Sequence, residues 1–164
     1  MKIIVKLALA SAVVLGVALS FIHPAGPVKG QASTEPLLAG VEADGRIMKI
    51  LERSCQNCHS ERTEWPWYSY VAPLSWLVEA DVHNGRSHMD LSRWRDYSPD
   101  RQRDILTRLG VEVRTRQMPL TRYLRIHPDA ALSDEEIKQL YVWAHRERSR
   151  LAAPIDANSR ALTP

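Results

Sequence analysis

The pentapeptide Cys55-Gln56-Asn57-Cys58-His59 holds the only two cysteines of the chain and constrains its fold more than any other feature. Cys-x-x-Cys-His is the attachment spacing of c-type haem. On a helical turn, two thiols three positions apart reach the two vinyl groups on one edge of a porphyrin and form thioethers. The next residue is then carried beneath the ring, where an imidazole can ligate the iron. On this reading Cys55, Cys58 and His59 hold one covalent haem c, with His59 as the proximal iron ligand. Three other chemistries compete. A thioredoxin-like redox pair expects a preceding strand in a βαβ context, yet the residues before Cys55 set Ile47, Ile50 and Leu51 at helical spacing. A zinc site needs four ligands, usually with a second Cys or His pair at matching spacing, and none is visible. A simple disulfide of an export compartment remains open, although a three-residue separation is tight for one.

The N-terminus indicates such a compartment. Lys2 and Lys6 flank the start of an apolar run from Ile3 to Ile22, broken only by Lys6, Gly16 and Ser20. Read from Leu7, the run is long for a signal h-region and slightly short for a spanning helix, so the two readings overlap. Neither Ala18-Leu19-Ser20, inside the run, nor Gly30-Gln31-Ala32, well beyond it, makes a clean cleavage site, which favours an uncleaved signal anchor with its basic end inside. The remainder is then exported to the bacterial periplasm and tethered to the inner membrane, in keeping with haem c attachment outside the cytoplasm. Charge says little about partners. The formal net charge is +3, two units of which come from residues 1–35, and no Lys/Arg stripe with interleaved aromatics signals nucleic acid.

The 164 residues divide into a signal anchor or signal peptide (1–22), a Pro/Gly/Ala-rich linker (23–39), one domain (40–151) and a loose Ala/Pro/Asn/Ser tail (152–164). The domain reads as all-α, with no period-2 runs bounded by hairpin signals. A first helix is expected over Val41–Ser54, leading into the haem motif. A second starts near Pro73 and carries Leu74, Leu77, Val78 and Val82 on one face before Gly85. A third is capped by Ser98 with Pro99 at its first turn, buries Ile105, Leu106 and Leu109, and stops at Gly110. A last helix opens with a Ser133/Glu136 capping box and a Leu132/Ile137 staple, followed by an apolar face of Ile137, Leu140, Tyr141 and Ala144.

Met118 is the preferred sixth iron ligand. It lies on an irregular segment between two helices, with Pro119 fixing the backbone beside it. Its rivals, Met89, His83, His88 and His127, fit surface or turn positions better, as does His145 in its charged run. Four aromatic residues crowd Trp65-Pro66-Trp67-Tyr68-Ser69-Tyr70. Of these Trp65, Trp67 and Tyr68 suit the wall of a porphyrin cavity, with core or rim packing as the alternative. Arg86 and Arg122 are candidate propionate partners, on an equal footing with ordinary surface arginines.

The order of haem motif, middle helices, Met-Pro loop and capped terminal helix resembles class I cytochromes c, in which the first and last helices pack together and a late Met completes the iron site. More specifically, Cys55–His59 followed by Trp65-Pro66-Trp67-Tyr68-Ser69-Tyr70-Val71-Ala72-Pro73-Leu74-Ser75-Trp76-Leu77 resembles the small bacterial haem-binding domain family. Asp81-Val82, Gly85-Arg86, Trp94, Met118-Pro119, Tyr123, His127-Pro128 and the Leu132–Glu136 helix start add to the resemblance, which covers about residues 40–150. It implies covalent haem and a cytochrome-c-like fold on an anchored or exported chain.

One-electron transfer by a membrane-tethered monohaem cytochrome c is the expected function, an electron carrier rather than a catalyst. A thioether at the sixth position favours ferrous iron. Arg108, Arg114, Arg116, Arg122 and Arg125 surround Met118, as a docking face for an acidic redox partner protein or as ordinary solvated loop charge. The alternative is an open or labile sixth position serving a small-ligand or redox sensor, or a peroxidase. A thiol-disulfide protein without haem is the third reading.

Overall fold

The computed structural model describes residues 2–24 and 33–152. Helices run over Lys2–Leu19 (α1), Gly45–Ser54 (α2), Gln56–His59 (α3), Leu74–His88 (α4), Pro99–Arg114 (α5), Thr121–Leu124 (α6) and Asp134–Ala152 (α7). Single 3-10 segments lie at Trp67–Tyr70, Leu91–Asp96 and Pro128–Ala130. No strand occurs among the described residues, so the all-α expectation holds. The Gly30-Gln31-Ala32 site, much of the expected linker and residues 153–164 of the tail lie outside the described residues. Packing divides the chain into two compact units, Met1–Leu37 with Gln56–Ser92, and Leu38–Cys55 with Arg93–Pro164.

The first unit contains α1, α3 and α4. The 18 residues of α1 span about 27 Å and bury none of their side chains. It is the one helix among the described residues long and apolar enough to cross a bilayer or serve as a signal sequence. Pro73 precedes the first turn of α4, as expected. Of the expected apolar face of α4, however, only Val82 is buried. Ser75, Glu79 and Val82 are buried, whereas Leu74 and Leu77 face outward. The helix also runs through Gly85 to His88 instead of stopping at the glycine.

The second unit is built around the pairing of α5 with α7. Ile105, Leu106, Leu109 and Val113 of α5 are buried, as are Leu140, Trp143 and Ala144 of α7. α2 closes this core with Ile47, Ile50 and Leu51. It starts at Gly45 rather than Val41 because the Asp44 side chain accepts from the backbone N–H groups of Arg46 and Ile47, both at 2.9 Å. Ser98 caps α5 as expected, but α5 continues past Gly110 to Arg114. A Cβ at Gly110 would lie 3.3 Å from the Tyr141 ring, so the glycine is a contact point for α7 and not a stop. The capping box of α7 forms in full, Glu136 N–H donating to Ser133 Oγ at 3.2 Å and Ser133 N–H to Glu136 Oε2 at 2.9 Å. Arg53 of α2 pairs with Glu136 at 2.9 Å, and Trp143 Nε1 donates to the Glu42 carbonyl at 3.0 Å. The first and last helices of the globular part therefore pack together.

Candidate haem-iron site

α3 is a single turn that presents Cys58 and His59. His59 Nδ1 lies 2.9 Å from the carbonyl oxygen of Gly85 and 3.1 Å from that of Met89. Carbonyl oxygens only accept, so Nδ1 carries the ring proton and Nε2 keeps its lone pair. That tautomer is the one required for ligation through Nε2, and the carbonyl bonds orient the ring and raise its donor strength. Loss of water around the half-buried ring holds its pKa below the ordinary imidazole value, with His88 pushing the same way against the two carbonyl bonds. The ring is thus neutral at pH 7, as a metal ligand must be.

The close approach of α4 to the haem motif has a steric cause. A Cβ added at Gly85 would stand 2.4 Å from the carbonyl oxygen of Cys58 and 3.2 Å from its Cβ. Only glycine permits this backbone contact, and the contact brings the Gly85 and Met89 carbonyls to the imidazole. Arg86, one residue on, donates from Nε to the Ser60 carbonyl at 2.9 Å and from Nη2 to Thr63 Oγ1 at 3.1 Å. Burial lowers its pKa somewhat, against the opposing charges of Asp90, Glu61 and Cys58. Arg86 therefore braces the segment that follows His59. That segment is knitted further by Ser60 Oγ donating to the Gln56 carbonyl at 2.9 Å and Thr63 Oγ1 to the Asn57 carbonyl at 2.7 Å.

The aromatic residues separate. Tyr68 is half-buried, and burial raises the pKa of its phenol, an effect to which Cys58 would add when ionised. Tyr68 therefore lies within electrostatic reach of the motif. Trp65 is also half-buried. Trp67 packs edge-on against Tyr68, with centroids 5.9 Å apart, but turns outward into solvent. Met89, expected on a solvent-exposed loop, is instead buried at the C-terminal cap of α4. Its carbonyl meets Nδ1, the side of the imidazole remote from Nε2, so its backbone would stand behind an imidazole that held a metal through Nε2. His83 and His88 are exposed, and His88 Nδ1 lies 2.8 Å from the Asn84 carbonyl.

In the second unit, Cys55 is half-buried and caps α2, its N–H donating to the Leu51 carbonyl at 2.9 Å. Met118 is half-buried on the segment joining α5 to α6, its N–H directed to the Glu112 carbonyl at 3.3 Å and its peptide bond to Pro119 cis. His127 stacks on Tyr123 at 4.3 Å, and Arg122 and His145 are exposed. Sequence reasoning missed Gly85 and Met89, which act through their backbone. An isolated glycine inside a helical pattern was the available signal for the first; the second gave none.

Two vinyl-reactive thiols at the required spacing, followed by a neutral imidazole with Nδ1 tied and Nε2 basic, suit a haem iron. The helical fold and this ligand define a helical haem-binding protein. The chain matches the haem-binding domain family over residues 14–146 and belongs to that family. It is also similar to the cytochrome c peroxidase Ccp of Escherichia coli (strain K12), with 26% identity over 151 residues, covering 86% of this chain and 32% of that protein. The chain thus spans about a third of that relative's length. No solved structure matches it significantly.

Proposed function

We propose that this protein is a membrane-tethered, class I cytochrome c-like electron carrier of the bacterial periplasm, holding one haem c through thioethers to Cys55 and Cys58. His59 supplies the proximal imidazole and Met118 the sixth ligand; Trp65 and Tyr68 border the porphyrin. When bound, the haem supplies a one-electron couple between ferrous and ferric iron. The chain's own work is to hold the imidazole in one tautomer, fix its orientation through α4 and limit water around it. The observation that carries the reading is the pair of carbonyl bonds to His59 Nδ1 beside the Cys-x-x-Cys-His spacing. A small apolar core in the first unit is consistent with a porphyrin completing it, since its buried apolar side chains among the described residues are Leu37, Val82, Met89 and Leu91. Binding restricted to the folded state would then stabilise that unit.

The test is expression with a haem c maturation system, followed by intact-mass and optical measurement. One covalently added haem, a low-spin spectrum in both oxidation states and loss of the weak far-red charge-transfer band in Met118→Ala are expected. Colourless protein with unmodified thiols would overturn the reading, and an unchanged spectrum in Met118→Ala would remove Met118 from the iron.

The similarity to a protein named as a cytochrome c peroxidase supports a second reading, in which the sixth position opens and the domain turns over peroxide. Carbon monoxide binding by the reduced protein without denaturation, together with peroxide-dependent oxidation of a reduced carrier, would favour it over simple electron transfer.

A further inference from the structure

Five large apolar side chains of the first unit, Trp67, Tyr70, Val71, Leu74 and Leu77, are between 43% and 77% exposed. They occupy one short stretch of chain, the 3-10 segment before α4 and its first turn. Nothing in the chemistry of the haem motif requires them to face outward. Isolated exposed leucines need no explanation, but a cluster of this size marks an interaction surface.

What covers the cluster follows from what holds it. The Ala72 N–H donates to Ser20 Oγ at 3.1 Å, and Trp76 Nε1 donates to the Ile22 carbonyl at 2.8 Å. His23 Nδ1 lies 2.9 Å and 3.0 Å from the two carboxylate oxygens of the buried Glu79. Residues 72, 76 and 79 are thus bound to residues 20, 22 and 23, the stretch where the chain leaves α1. Leu74 lies between the first two of these tethers, and Val71 and Leu77 each adjoin one. Along α4, residues 74 to 79 span only about 8 Å. If α1 spans a bilayer, its last residues lie at the boundary between hydrocarbon and headgroups, and so does this cluster. Its composition suits that level: one Trp and one Tyr, which favour the interface, with three aliphatic side chains that favour the acyl chains. In the first two turns of the same helix, the polar side chains that could not enter lipid, Ser75 and Glu79, are buried.

We propose that Trp67, Tyr70, Val71, Leu74 and Leu77 form a membrane-seated face that rests the haem-motif unit on the lipid surface beside its own anchor. The inference rests on α1 being retained in the membrane. It explains why α4 turns its leucines outward, and it makes the unit a seated body rather than one swinging on a leash.

Single cysteines introduced into the full-length holoprotein test this. Leu74→Cys and Leu77→Cys probe the face, Val13→Cys probes the middle of α1, and Ser87→Cys probes the exposed far end of α4, about 20 Å from residue 74. Each variant is placed in vesicles of phosphatidylethanolamine with phosphatidylglycerol and reacted with a membrane-impermeant maleimide. The parent protein sets the background from Cys55 and Cys58, and an unchanged haem spectrum certifies folding. The thiolate is the reactive form, and each unit by which an apolar environment raises its pKa lowers the rate about tenfold. Residues 13, 74 and 77 are expected to react about tenfold or more slowly than residue 87. Rates at 74 and 77 equal to that at 87, with 13 still protected, would place the face in water and overturn the proposal while leaving the anchor in place. A reactive residue 13, or a mature chain lacking it, would remove the anchor and the proposal together. Protection at 74 and 77 that disappears at a lower protein-to-lipid ratio would assign the face to a second copy of the chain and overturn the lipid reading.

Discussion

Gly85→Ala is the perturbation that the geometry specifies most closely. In the interior of α4, alanine would ordinarily stabilise the helix by about 1 kcal/mol relative to glycine. Here the added Cβ would meet the Cys58 carbonyl oxygen at 2.4 Å and its carbonyl carbon at 2.9 Å. Both are backbone atoms in a helical turn, so the strain cannot be relieved by rotating a side chain. Overpacking of this kind costs about 1–3 kcal/mol, and the shift that relieves it carries the Gly85 and Met89 carbonyls away from His59 Nδ1. The expected outcome is a net loss of up to about 2 kcal/mol and a Tm lower by up to about 8 °C, with a displaced haem spectrum. Thermal unfolding of the holoprotein, followed at the haem band and by far-UV circular dichroism, measures both. Gly45→Ala is the control, since no atom lies within 4 Å of a Cβ there, and it should be neutral or slightly stabilising. Gly110→Ala should fall between the two, because its 3.3 Å neighbour is a Tyr141 ring atom that can yield by a few tenths of an ångström. A Gly85→Ala protein that melts with Gly45→Ala and keeps the parent spectrum would refute the argument that backbone contact at this glycine positions the imidazole.

The Arg53–Glu136 pair gives a pH dependence. Its ion pair and the Ser133 bonds hold the Glu136 carboxyl down to about 2, against 4.5 for a free side chain. Its contribution is therefore complete above about pH 4.5 and is lost as pH falls toward 2. Because the Arg53 side chain is 37% exposed, solvent screening leaves roughly 1 kcal/mol rather than the larger value the shift alone implies. Urea titrations should show Glu136→Gln less stable than the parent at neutral pH and converging with it in acid; a constant difference would contradict this. Ser133→Ala should lower stability by ~1 kcal/mol through loss of the α7 cap. Trp143→Phe should cost about 1–2 kcal/mol, since it removes the indole bond to the Glu42 carbonyl and shrinks a buried ring, and denaturant melts with an unchanged slope would locate the effect in the native state.

Local chemistry was legible where it is complete within a few residues. The Ser133/Glu136 box and the Ser98-Pro99 start of α5 form as their sequences dictate, because each cap satisfies orphan N–H groups from its own neighbourhood. Both glycine stops failed for one shared reason. At both Gly85 and Gly110 another element packs close to the helix, against backbone at the first and against a ring at the second, and sequence spacing cannot distinguish a glycine that ends a helix from one that admits a neighbour. The buried face of α4 failed for a different reason: periodicity identifies an apolar stripe but not the medium that receives it, and lipid and protein core read alike. At the site, the residue types were readable at Cys55, Cys58 and His59. The groups that set the imidazole's tautomer were not, since a backbone carbonyl has no sequence signature.

α4 joins these threads, for its two ends perform separate tasks within one rigid element. Near its start, Trp76 and Glu79 bind the residues that follow α1. At its end, the carbonyls of Gly85 and Met89, at the negative pole of the helix dipole, grip the proton on His59 Nδ1. Those carbonyls would draw electron density toward Nε2 and so strengthen the imidazole as a ligand for haem iron when it is bound. Lengthening or kinking α4 between Glu79 and Gly85 should therefore act on the His59 imidazole, and through it on a bound haem. The insertion of one alanine after Ala80 would rotate the Gly85 and Met89 carbonyls by about 100° about the helix axis, a full residue of a 3.6-residue turn, while leaving the tethers to residues 20–23 intact. Loss of the parent haem spectrum with retained membrane association is the outcome this division of labour requires, and a parent-like spectrum would show that the carbonyls are not what holds the imidazole.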